Sequence, residues 1–112
     1  MTDAMRIKAE EFKQTIMESE EYQKYDMYRR LLNGTPELKD RVNEFRKANI
    51  SLQMEGNAQN RDEVQRLSAE YNDAMTSSVV REFLNAELIL CKMLQQINLM
   101  LISDIELELD FL

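Results

Sequence analysis

The 112-residue chain holds two Gly and one Pro, where average usage of roughly 7% Gly and 5% Pro would supply about 13. That scarcity of turn formers excludes a β-sandwich, a β-barrel or a disulfide mini-fold, and 44% hydrophobic with 31% charged residues suits amphipathic helices. A net charge of −7 without any His argues against direct binding of nucleic acid or an anionic membrane surface, both of which draw on clustered Lys and Arg.

From about Asp3 the chain is helix-compatible, with Met5, Ala9, Phe12 and Ile16 recurring at spacings of three and four. Ser19-Glu20-Glu21 reads as a second N-cap with acids in the first turn. A break near Ser19 is therefore expected, followed by a short helix carrying Tyr22, Tyr25, Tyr28, Leu31 and Leu32. Asn33-Gly34-Thr35-Pro36 is a helix stop followed at once by a start. Gly34 suits the left-handed position past the end, Thr35 the N-cap and Pro36 the first helical position.

The third helix is predicted from Pro36 to about Glu55, with Leu38, Val42, Phe45 and Leu52 on one line and Asn49 at a polar seam position. If Phe45 is buried there, Phe45→Ala should cost about 3–5 kcal/mol. Gly56-Asn57 ends this helix, and Asn60 with Glu63 is spaced as a capping box opening a fourth, along which Val64, Leu67 and Tyr71 share a face. The two helices read as an antiparallel hairpin.

Thr76-Ser77-Ser78 caps the last and most apolar helix, about Val79 to Asp104. Val80, Phe83, Glu87, Leu90, Leu94, Ile97 and Leu101 form its stripe, which Leu84, Leu88, Cys91, Met93, Met100 and Ile102 widen. A helix apolar on most sides is buried on most sides. It is either the central strut of the bundle or partly covered by another subunit. Its most apolar stretch, Leu88 to Ile102, is interrupted by polar residues and falls short of the roughly 20 residues a membrane span needs. The expected architecture is all-α: one domain over residues 1–112, an antiparallel bundle of about four to five helices with a long, strongly apolar C-terminal helix.

Few residues could carry chemistry. Without His, the Ser-His and Cys-His nucleophile pairs are absent, and the two isolated glycines build no phosphate loop. Adjacent acids such as Glu10-Glu11 and Glu20-Glu21 read as solvated faces. No catalytic residue, metal ligand or cofactor is expected. The single Cys91 excludes an internal disulfide and reads as a small buried hydrophobe, since a structural metal site takes about four ligands. A cytoplasmic chain is expected, because the opening MTDAMRIKAEEF lacks an apolar signal region.

Glu87 stands on the apolar stripe, so it must pair, reach solvent or meet a polar partner. It reads either as an edge residue paired with an Arg or Lys, or as a specificity device at a helix or subunit interface. Asn49 could be a second such device. Eight methionines suit adaptable packing surfaces. From Ile102 to Leu112 apolar and acidic residues alternate, a period that suits an extended segment. This tail either tucks against its own bundle or docks on a partner. The candidate interaction residues are Asn49, Glu87, Leu88, Cys91, Met93, Met100 and Phe111.

Several short runs carry a family resemblance: Glu18-Ser19-Glu20-Glu21-Tyr22, Pro36-Glu37-Leu38-Lys39 with Phe45, Val79 through Glu87 (VVREFLNAE), and the closing Ile105 to Leu112. Together they resemble the YlbF/YmcA family of small, all-helical bacterial cytosolic proteins. The chain departs from that pattern at Thr35, where the family often has Asp, and at Ser77-Ser78, where it often has Asn-Pro. Both replacements keep capping chemistry or helix tolerance. The resemblance implies a regulator without catalysis, working with copies of itself or other family members. It also implies a complex that influences ribonuclease Y-dependent mRNA processing, competence, sporulation and biofilm formation. Iron–sulfur clusters held by cysteines are associated with that complex, and with one cysteine here no cluster ligand is carried over. The alternative is a stand-alone homo-oligomeric structural protein with no link to RNA processing.

Overall fold

A computed structural model describes residues 1–56 and 60–105. Those residues form six helices and no strand: α1 (Asp3–Met17), α2 (Glu20–Asn33), α3 (Pro36–Met54), α4 (Arg61–Glu70), α5 (Asn72–Met75) and α6 (Ser78–Ile102). The fold is all-α.

The breaks follow local capping chemistry, with some redistribution of roles. Ser19 is extended and its hydroxyl accepts from the Tyr22 amide at 3.2 Å, which separates α1 from α2 as expected. Pro36 opens α3, but Gly34 is right-handed at φ −73° rather than left-handed. The chain leaves the helix one residue later, at Thr35 (φ −127°, ψ 79°), because the residue before a proline is driven from helical space. Thr35 makes no side-chain cap bond. The left-handed glycine is Gly56, at φ 76°, one residue past the C-cap of α3.

Asn60 caps α4, its side-chain oxygen accepting from the amides of Asp62 and Glu63 at 3.0 and 3.4 Å. Glu63 turns toward Arg66 at 3.5 Å, so only one half of the capping box carries the turn. Tyr71, at φ −105° and ψ 21°, ends α4, and a single turn not anticipated from the sequence, α5, follows. At the start of α6 the N-cap is Ser77, without a side-chain cap bond. The Thr76 hydroxyl instead donates back to the Asn72 and Asp73 carbonyls.

The core is small. Leu32, Val42, Ala74, Val80 and Phe83 form a buried cluster from α2, α3, α5 and α6, flanked by Tyr25, Tyr28, Leu38, Met75, Val79 and Leu84. Tyr25 stacks on Phe83 with ring centroids 5.6 Å apart, and the most extensive helix packing is α2 along α6. On α3 the expected seam is the inward face, yet only Val42 is sealed; Leu38, Phe45, Asn49 and Leu52 are half-buried. Phe45 meets the Tyr71 ring edge-on at 5.9 Å.

Of the two readings of the last helix, that of a central strut buried on most sides is corrected. The helix is the longest, at 25 residues, but its buried positions, Val80, Phe83, Ala86 and Leu90, all lie in its first half. From Cys91 onward only Met93 and Ile97 are even half-buried. Cys91 is exposed, not a buried hydrophobe: in that half of α6 only the side carrying Met93 and Ile97 is partly covered. Nor does α1 contribute any buried residue. The radius of gyration is accordingly 18.6 Å, against about 13 Å expected for a compact domain of this length.

Candidate interaction surface

Two ion-paired contacts set the geometry around the core. Arg46 of α3 reaches Glu87 of α6, its Nη2 donating to both carboxylate oxygens at 2.8 and 2.9 Å. Its guanidinium stands 5.8 Å from the centre of the Phe83 ring. Glu87 is thus the half-buried edge residue with a basic partner, tying α3 to α6. Nothing in its local sequence selects Arg46 as that partner. The pair spans 41 positions, and Arg46 lies one step off the apolar line.

The second contact was not legible in the sequence. Arg41 of α3 donates from Nη2 to Asp73 Oδ1 at 2.9 Å and from Nε to Oδ2 at 3.3 Å. Nη2 also donates to the Glu70 carbonyl at 2.8 Å, and the guanidinium lies 4.4 Å over the Tyr71 ring. One side chain therefore stitches α3 to the α4–α5 junction. The hydrogen bond from Arg41 holds the Asp73 carboxyl below the usual carboxylate range. With its folded value lower, the unfolded chain binds more protons as Asp73 titrates, so stability rises with pH in that window. The contribution should be complete above the ordinary carboxylate range and be lost as pH falls through the depressed value. Comparing acid unfolding of the protein and Asp73→Asn should show a shallower acid limb in the variant; identical limbs would refute this.

Exposed apolar side chains occur on α2, α3 and α4 too, Met54 at 83% among them, and are most numerous on α1 and α6. On α6 they include Leu94, Leu99, Leu101, Ile102 and Met100, the last 79% exposed. On α1, Met5 is 61% and Ile7 57% exposed. The two helices are joined by an apolar groove of about 450 Å3 formed by Lys8, Ala9, Phe12, Lys13 and Ile16 of α1 with Leu101 of α6.

The sequence-derived candidates divide over the molecule. Leu88, Cys91 and Met100 are exposed on α6, Met93 is half-buried there, and Asn49 is half-buried on α3. Glu87 lies between the core and this surface, and Phe111, with the tail beyond Ile105, lies outside the described residues. Among the described residues no group of three His, Cys, Asp or Glu is placed to hold a metal ion, and no helix is long and apolar enough to cross a membrane.

The described residues define an all-helical protein with a small polar-stitched core and apolar side chains that none of them covers. Over residues 6–106 the chain matches the family described as control of competence regulator ComK, YlbF/YmcA. It belongs to that family. No curated protein and no solved structure matches it.

Proposed function

We propose that this chain is a non-enzymatic regulatory adaptor of one domain, acting through helix-mediated association with a second copy or another family member. The observation that carries the reading is the uncovered apolar flank of α1 and the second half of α6. The cost of leaving it in water is about 25 cal/mol for each Å2 of apolar surface, and the groove that joins α1 to Leu101 is continuous apolar surface, the kind that marks association sites. The radius of gyration of 18.6 Å supports it too, since a lone chain would gain by closing up. Family membership supports the regulatory role. By resemblance, that role lies in a complex modulating ribonuclease Y-dependent mRNA processing, competence, sporulation or biofilm formation.

Light scattering on the purified chain, alone and mixed with other family members, tests the association. A mass that is a multiple of 13.3 kDa, or a defined mixed complex, is expected at micromolar concentration. A monodisperse 13.3 kDa species indifferent to every family member would overturn the adaptor reading.

A further inference from the structure

A second feature lies away from the apolar flank, between α2, α3 and α6. It is a cleft of about 290 Å3 whose basic side chains are Arg29, Lys39 and Arg46. Leu32 and Phe83, 4% and 5% exposed, belong to its lining and to the core. Asn33, Asn43 and Tyr25 complete its polar lining, and no carboxylate is part of it. In a chain with 21 acids and 14 Lys and Arg, three cations line one cleft, two of them ion-paired from outside it, to Asp26 and Glu87.

The donors are oriented and incompletely used. Asp26 holds Arg29, and Glu87 holds Arg46, in each case through Nη2. A guanidinium has five N–H donors in a fixed fork, so Nε and Nη1 of both residues stay available. The carboxylates fix each fork without lining the cleft. Lys39 makes no ion pair among the described residues. Its ammonium adds a third set of donors.

We propose that this cleft binds a small phosphate-bearing anion, with Arg29, Lys39 and Arg46 meeting the phosphate oxygens and Asn43 bonding at the side. Both paired edges of a guanidinium include Nη2, so Arg29 and Arg46 each offer single N–H donors from Nε and Nη1, and the lysine adds a compact charge. The volume sits at the lower end of small-molecule sites, roughly 300–1,000 Å3, which suits a phosphate on a small body. A polynucleotide would meet the net charge of −7 on the rest of the surface. Bound there, the anion bridges α2 to α3 beside the core.

Inorganic pyrophosphate is the probe, titrated into the full-length protein at constant ionic strength and followed by amide resonances. Saturable shifts confined to the second half of α2, to α3 around Lys39 to Arg46 and to α6 near Phe83 are expected, with half-saturation at or below low millimolar. Lys39→Gln should weaken binding at least 10-fold, and Asn43→Asp, which places a carboxylate in the cleft, should abolish it. Gln65→Glu on α4 changes the net charge equally and should leave binding intact. Non-saturating shifts, shifts spread over all surface cations, equal binding of citrate, or unchanged affinity in Lys39→Gln would each overturn the proposal. Should Asn43→Asp fail to fold, Lys39→Gln decides alone. The outcome is independent of the adaptor reading, which the light-scattering mass tests separately.

Discussion

Phe83→Ala is expected to cost about 3–5 kcal/mol, the range for deleting a buried aromatic from a packed core. Phe83 is 5% exposed, stacks on Tyr25 and belongs to the only buried cluster among the described residues. Its loss removes the ring that joins α2 to α6 and takes the support from beneath the Arg46 guanidinium. Against a total of roughly 5–15 kcal/mol for a domain, such a loss leaves little margin. Urea melts at one fixed protein concentration measure it, since association would otherwise shift the apparent stability. Phe45→Ala should cost distinctly less, because Phe45 is half-buried and meets Tyr71 only edge-on. Equal losses at the two positions would mean that the core is centred elsewhere.

The difference between these two phenylalanines shows what the sequence can and cannot disclose. Periodicity placed both on inward faces, and both face inward. Spacing along one helix carries no information about how deeply the next helix covers it. The same limit explains Cys91: its apolar neighbours mark it as a residue that could be buried, while burial needs a partner element that the described chain does not supply. Helix breaks were legible at Ser19, Pro36 and Asn60 because capping is local chemistry, set within about four residues. Gly34 misled because a proline downstream had already taken over the turn. Arg46 and Arg41 could not be chosen as partners from sequence, since each pair joins residues more than thirty positions apart. Of the candidate site, the apolar residues on α6 were visible; the contribution of α1 and the basic cleft required the fold.

Replacing Leu94 and Leu101 together by Lys is the expected test of which face associates. Both are exposed in the isolated chain, Leu94 by 41% and Leu101 by 59%. Lys and Leu have similar helix propensities, and exposed substitutions away from packed contacts usually change stability by only about 0.5 kcal/mol each. The folded chain should therefore keep its far-UV signal and nearly keep its melt. In an assembly that buries these leucines, the surface they still expose amounts to about one leucine and contributes about 1.5–3 kcal/mol together, and a lysine there would also need a counter-charge. Loss of the pair corresponds to about 10-fold or more in the dissociation constant, at 1.4 kcal/mol per decade. Light scattering across a dilution series should then show the wild type associated at concentrations where the double variant is a single chain. If both keep the same mass at every concentration, the α6 flank is not where the copies meet, whatever its apolar character.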